Sequence, residues 1–257
     1  LPEKYSVTFT PDKAKFSRTD KDISTQTEIV VASGENAEIR MLSIANHGKT
    51  PAVIEVTSYM EIVLANHGGD VVHPAFSNLF IETEYVPEYR SLLAKRRPRA
   101  DTGRTMWMVN TMVVEGDEVG GVQYETDRSN FIGRGHTAAN PAAMVKNKPL
   151  SNTVGPVLDP IMSFRQLLRI EPGDTARISF ITAVADSKSD LLEIAEKYQD
   201  TDNIEAAFRL ALTRSRVEAR YLNLKPFEME IYQDMMSHIL YISPLLRKKE
   251  SHILKNE

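Results

Sequence analysis

The feature that most constrains this chain is a change of period near residue 186. Up to about residue 185, apolar residues alternate with polar ones and turn residues punctuate the runs, as strands require. Ser6–Phe9 and Ala14–Arg18 flank a Pro11-Asp12 turn, and Thr25–Ala32 ends at Ser33-Gly34-Glu35-Asn36. Ala37–Asn46 then alternates through Ile39, Met41, Leu42 and Ile44, and Asn46-His47-Gly48-Lys49 leads into Ala52–Leu64, which reads as one long strand and the second arm of a hairpin. Thr105–Val114 is a further strand, and Val114–Gly121 reads as a glycine-containing turn after it. Phe164–Ile170 and Thr175–Val184, joined by Glu171-Pro172-Gly173-Asp174, form the clearest hairpin pattern. So many antiparallel runs predict a mainly β fold, a large antiparallel super-sandwich.

Beyond Ala185 the spacing becomes helical. Asp190–Tyr198 is a helix with Ser189 placed to cap it, Ile204–Leu222 follows, and Lys225-Pro226 breaks the chain before Phe227–Leu240. The expected division is an antiparallel β-super-sandwich over 1–186 and a helical linker over 187–257. On the strand pattern alone, the sandwich should fold without the linker. The helices carry more apolar residues than a surface appendage needs, which predicts a partner surface.

Composition narrows the function classes. The chain has 257 residues, 42% of them hydrophobic, enough for a sizeable core. Its 31 basic and 35 acidic residues leave a net charge of −4, so no global field recruits nucleic acid. With no cysteine it has no disulfides, thiolate nucleophile or thiolate metal site, which fits a reducing compartment. There is no N-x-[ST] acceptor and no apolar run long enough to span a bilayer. Both ends read as cuts inside a longer protein.

Few residues invite chemistry. His67, Asp70 and His73 lie close together, but one flexible segment makes a poor metal cage, and no metal site is expected. A short helix after His73 should turn Phe76, Leu79 and Phe80 inward. Glu82 and Glu84 share a strand face and read either as a paired acid and base or as a solvated rim. Lys95-Arg96-Arg97-Pro98-Arg99 lacks the interleaved aromatics of a nucleic-acid patch, leaving a local anion or saccharide contact or plain solvation. Trp107, the single tryptophan, stands at a strand position that suggests core. The densest candidate is Tyr124–Gly135, where Asp127, Arg128 and Arg134 sit among Phe131-Ile132, Gly133 and Gly135. Guanidiniums beside flexible backbone suit a planar oxyanion or a cluster of sugar hydroxyls, and a neighbouring-charge pairing accounts for them equally well.

Taken in order, Ile54–Tyr59, His73-Pro74-Ala75-Phe76, Phe80, Thr83-Glu84, Leu92-Leu93-Ala94, Arg96-Arg97-Pro98 and Asp127-Arg128-x-x-Phe131-x-Gly133-Arg134 carry a likeness. Over about residues 5–185 the chain resembles the amino-terminal sandwich of glycoside hydrolase family 94, the inverting glycoside phosphorylases, and above all the phosphorylase-like region of cyclic β-1,2-glucan synthases. That resemblance implies linker helices leading to an (α/α)6 catalytic barrel that supplies the general-acid Asp, with inorganic phosphate as co-substrate and no cofactor. The 257 residues would then be a non-catalytic, carbohydrate-associated module, inactive alone. Its partners would be a β-glucan or oligosaccharide, the barrel of the same parent chain and a second subunit. It would lie on the cytoplasmic side, whether the parent is soluble or held in the inner membrane. The resemblance further implies that Arg134 and Arg128 meet the acceptor-side sugar or shape the phosphate entrance. Asp127 would orient Arg128, and Gly133 would let the backbone approach the sugar. The other reading is a free-standing carbohydrate-binding or structural sandwich. Exposed apolar helix faces favour the module, and helices packed back on the strands favour the free-standing domain.

Overall fold

The computed structural model describes residues 2–97, 105–145 and 148–241. In chain order the elements are β1 (Lys4–Phe9), β2 (Ala14–Asp20), β3 (Ile23–Val31), β4 (Ala37–Asn46), β5 (Ala52–Thr57), β6 (Met60–Glu61), α1 (His67–Val72), α2 (Pro74–Asn78), β7 (Ile81–Val86), β8 (Ser91–Arg96) and β9 (Trp107–Glu115). There follow β10 (Asp117–Asp127), α3 (Arg128–Ile132), β11 (Gly155–Pro156), β12 (Pro160–Ile170), β13 (Thr175–Ala185), α4 (Lys188–Lys197), α5 (Thr201–Tyr221) and α6 (Pro226–Leu240).

Two antiparallel sheets face each other. Nine strands run in the order β1-β2-β3-β4-β13-β9-β8-β7-β11, and the smaller sheet runs β10-β12-β5 with β6 also on β12. The chain is therefore mainly β, a large antiparallel sandwich followed by helices. Between the sheets lie Ile44, Met112, Ile178, Phe164, Leu168 and Ile170, all buried. The outer face of the large sheet buries Val30, Ile39, Leu93, Val109, Val113 and Ile181 against Leu191, Ala195, Tyr198, Ile204, Ala207 and Ala211 of α4 and α5. A third, smaller core lies on the outer face of the small sheet, where Ile161 meets Phe131, Ala143 and Leu150.

Two expected hairpins are not hairpins. β4 pairs with β3 and β13 in the large sheet, whereas β5 pairs with β12 in the small one. Likewise β12 and β13 lie in opposite sheets. The turn residues are where the sequence puts them, with Asp174 N–H donating to the Glu171 carbonyl at 3.1 Å. What differs is the rotation of the strands about the turn, which brings side chains rather than backbone ladders into contact. β9 passes to β10 in the same way through Gly116, and the Val114–Gly121 "turn" contracts to that residue. Gly120 lies within β10, beside a register shift between Val119 and Gln123. Ala52–Leu64 is interrupted too, because Ser58 leaves the strand to accept from Phe164 N–H through its hydroxyl oxygen at 2.9 Å.

Asn46 holds both crossovers at one end of the sandwich. This buried side chain donates from Nδ2 to the Thr50 carbonyl at 2.9 Å and to the Ile170 carbonyl at 3.0 Å. Its Oδ1 accepts from Gly48 N–H at 2.9 Å, and its backbone exchanges hydrogen bonds with Gly173 and Asp174. Asn46→Ala removes both donors. It should lower the unfolding free energy by about 2–3 kcal/mol, since an unsatisfied buried carbonyl costs roughly 1–3 kcal/mol. Asn46→Asp, which keeps only the acceptor, should lose a similar amount. Urea denaturation measures both, and a loss below about 0.5 kcal/mol in each would show that water replaces the amide.

The helices differ in what they cover. Ser187, not Ser189, caps α4, because its hydroxyl accepts from Asp190 N–H at 3.1 Å while Ser189 lies inside the first turn. α4 is pinned to the β3–β4 turn where Glu35 takes the Tyr198 hydroxyl at 2.9 Å and the Lys197 ammonium. α6, in contrast, buries no residue and leaves Phe227, Ile231, Met236, Ile239 and Leu240 exposed. A groove of about 810 Å³ runs between α5, α6 and the β1–β2 turn. The boundary at 186 thus divides strands from helices without dividing cores. Among the described residues no helix is long and apolar enough to cross a membrane.

Candidate functional site

The Tyr124–Gly135 stretch leaves the small sheet as β10 ends. Asp127 caps α3, its carboxylate accepting from Ser129 N–H at 2.8 Å and from the Ser129 hydroxyl at 2.7 Å. That role makes Asp127 a helix cap rather than the group that orients Arg128. Arg128 turns instead to three other residues. Its Nε donates to Glu61 Oε1 at 2.9 Å and to the Tyr59 hydroxyl at 3.2 Å, and its Nη1 lies 3.5 Å from Asp159 Oδ2. Tyr59 in turn donates to Glu61 Oε1 at 2.6 Å.

The electrostatics of this cluster are mutually reinforcing. Burial, with the Glu61 carboxylate beside it, pushes the Tyr59 hydroxyl up to about 12. The hydrogen bonds from Tyr59 and Arg128 hold Glu61 below the usual carboxylate range, and the bond to Glu61 raises Arg128 further above its own. At neutral pH the phenol stays a donor and the carboxylate stays charged, so the network keeps one arrangement. The Tyr59 ring also packs on Phe131 with centroids 4.9 Å apart.

Gly133 is required for a reason inside the protein. Its φ is +80°, and a β-carbon there would stand 2.5 Å from the Ala142 Cβ. The close approach is to the 3-10 turn Ala142–Met144, which folds over the loop and the third core. Arg134 lies just beyond, exposed, and among the described residues no carboxylate pairs with it. The two arginines that look equivalent in the sequence therefore differ. Arg128 is committed to protein groups and Arg134 faces solvent.

The supporting residues were not singled out by sequence reading. Glu125, buried, accepts from Thr126 and Asp127 N–H through Oε1 and from the Ser151 hydroxyl through Oε2 at 2.6 Å. Arg165, its side chain 2% exposed, reaches out of β12 to the Ala143 and Lys148 carbonyls at 2.6 Å each, to Thr57 Oγ1 at 2.9 Å and to Glu55 at 3.2 Å. Arg165 ties Ala143 and Lys148, and Glu125 ties Ser151, to the small sheet.

The remaining candidates resolve into ordinary roles. His67 and Asp70 lie on α1 and His73 follows it, and among the described residues no group of three His, Cys, Asp or Glu side chains could hold a metal. Phe76 and Leu79 do not point inward; they are 52% and 40% exposed, because α2 has five residues and buries Ser77 instead. Phe76 and Phe80 meet edge to face. Glu82 pairs with Lys95 and Arg97, and Glu84 with Lys188, so the two carboxylates form an ion-paired rim. Arg96 donates to the Ser77 carbonyl; Pro98 and Arg99 lie outside the described residues. Trp107 is half-buried at the margin of the large sheet's outer core, with the Lys95 ammonium 5.7 Å from its ring centroid.

A family model for the supersandwich domain of glycosyl hydrolase 94 matches residues 1–201. The chain belongs to that family. The match covers both sheets and α4, in keeping with a core that continues into the helices. This supersandwich is also 31% identical, over 245 residues, to the cyclic beta-(1,2)-glucan synthase NdvB of Rhizobium meliloti (strain 1021). That alignment covers 95% of this chain and 9% of the synthase, so the supersandwich spans a small part of its relative's length. Among solved structures it is similar to a bacterial glucoamylase complexed with acarbose, at a TM-score of 0.44 and 13% identity over 82% of this chain and 28% of that one. A polysaccharide lyase is similar at a TM-score of 0.42 and 14% identity, covering 76% of this chain and 24% of the lyase.

Proposed function

We propose that this chain is the non-catalytic supersandwich module of a larger cyclic β-1,2-glucan synthase or β-glucan phosphorylase. Family membership over residues 1–201, together with 31% identity to one small part of a glucan synthase, carries the reading. In this reading an (α/α)6 barrel of the same parent chain supplies the general acid and uses inorganic phosphate as co-substrate. The exposed apolar face of α6 meets that barrel, on the cytoplasmic side. The α3 loop presents Arg134 to the acceptor-side sugar at the active-site mouth, in its own or a neighbouring subunit. The free-standing alternative draws support from α4 and the first half of α5, which pack back on the sheet. The uncovered α6 favours the module.

Arg134 makes the proposal testable in the parent enzyme. A charge-assisted hydrogen bond is worth about 1.5–3 kcal/mol, so Arg134→Ala should lower kcat/KM for the acceptor by about ten- to a hundredfold. The melting temperature should stay unchanged, because no carboxylate among the described residues loses a partner. Arg134→Lys should recover only part of the activity, since an ammonium lacks the planar fork. Unaltered kinetics in Arg134→Ala would remove the loop from the active site.

A further inference from the structure

We infer that Asp159 is a positioning residue that couples the α1–α2 segment to the α3 loop, so that the two act as one unit at the acceptor side. The inference rests on the functional reading of the α3 loop given above. It starts from the place of Asp159, immediately before β12 and between the two segments. Asp159 Oδ1 accepts from Asn78 Nδ2 at 2.9 Å, at the last residue of α2. Its backbone carbonyl accepts from Arg128 N–H at 3.0 Å, at the first residue of α3, and its Oδ2 faces Arg128 Nη1 at 3.5 Å. One residue thus bonds the end of one helix and the start of the other.

The α1–α2 segment is built to depend on such a bond. α1 buries no residue, and Val71, Val72 and Phe76 are exposed. Its anchors gather at the C-terminal end. Beside Asn78, Arg96 Nη1 donates to the Ser77 carbonyl at 3.0 Å, Arg97 Nη2 to the Leu79 carbonyl at 3.1 Å and Arg97 N–H to the Phe80 carbonyl at 2.8 Å. Those arginines belong to the large sheet's side, whereas Asn78 reaches across to Asp159. On the other side, Asp159 reaches the start of α3 twice, through its carbonyl and its carboxylate, while Glu61 and Tyr59 hold Arg128 facing it. Segments held by few bonds open locally at low cost, and a shared carboxylate links their openings.

Amide hydrogen exchange on the 257-residue chain reads this coupling without any ligand. Asn78→Ala should speed exchange about tenfold both in residues 67–78 and in residues 128–133, the equivalent of one lost charge-assisted bond. Asp159→Asn keeps an oxygen for Asn78 but sets an amide NH2 against Arg128 Nη1, so it should speed exchange in both segments, though less than Asp159→Ala, which should free both. In the parent enzyme, with sophorose as acceptor probe, Asn78→Ala should raise the acceptor KM about fivefold with kcat nearly constant, as displacement of a binding group predicts. Acceleration confined to residues 67–78 would overturn the coupling. If Arg134→Ala leaves the acceptor KM untouched while exchange still changes in both segments, the functional reading fails and the coupling stands.

Discussion

Deletion of residues 187–257 is expected to abolish cooperative unfolding of the remaining strands. The strand pattern ends near Ala185, and on that pattern alone the truncation looks harmless. The large sheet, however, has two apolar faces. One is covered by the small sheet; the other, with Val30, Ile39, Leu93, Val109, Val113 and Ile181, is covered by α4 and α5. Uncovering it exposes those side chains and removes Leu191, Tyr198 and Ile204 from the core. At about 1.5–3 kcal/mol for each fully buried large apolar side chain, the loss is as large as the roughly 5–15 kcal/mol by which a domain is stable. Truncation after Leu224 keeps both helices and should melt cooperatively, close to the full chain. Thermal unfolding followed by circular dichroism, with dye binding to report exposed apolar surface, compares the two. A cooperative transition within a few degrees of wild type in the shorter fragment would show that the sheets form a sufficient core without helices.

The physical reason behind that expectation also explains what else could and could not be read from the residues. Period and punctuation are local, so most strand positions, the turn between β3 and β4 and the three C-terminal helices were legible, while β8 and β10 were not read as strands. Whether a turn joins neighbours in one sheet or arches between facing sheets is not local. Glu171-Pro172-Gly173-Asp174 makes the same turn in either case, and the arch is held by contacts such as those of Asn46, more than a hundred residues earlier in the chain. The candidate site divides in the same way. Asp127 as a helix cap was readable from Asp-x-Ser spacing, yet its neighbour Arg128 suggested a pairing instead. That Arg128 belongs to Glu61 and Asp159, and that Arg134 has no such partner among the described residues, depends on chain segments far apart in sequence. Arg165 was the deepest omission. In Phe164–Ile170 it falls on the polar phase of an alternating strand, which normally means water. Here that face is roofed by Ala143, Met144 and Lys148.

That roof makes Arg165 the second residue whose loss should be large. Its guanidinium satisfies four acceptors at once: the Ala143 and Lys148 carbonyls, Thr57 Oγ1 and the Glu55 carboxylate. Ala142, next to Ala143, is the residue against which Gly133 is fitted, so the bonds from β12 hold the turn that shapes the α3 loop. Arg165→Met keeps most of the aliphatic volume and removes every donor. It should cost about 2–4 kcal/mol, the range set by unsatisfied buried carbonyls and a broken partly buried ion pair. Arg165→Lys should recover less than half, because one ammonium cannot span carbonyls on both sides of the turn as a planar fork does. The structural account makes a second demand. Limited proteolysis or amide exchange should show residues 136–145 released in Arg165→Met before the sheets unfold, since the remaining bonds, between Gln123, Tyr124, Glu125 and Thr126 and residues 150–153, hold only the far end of the segment. If stability falls but that segment stays protected, the cost is one of burial in β12, and Arg165 does not support the loop. If neither changes, water has replaced the guanidinium and the roof stands without it.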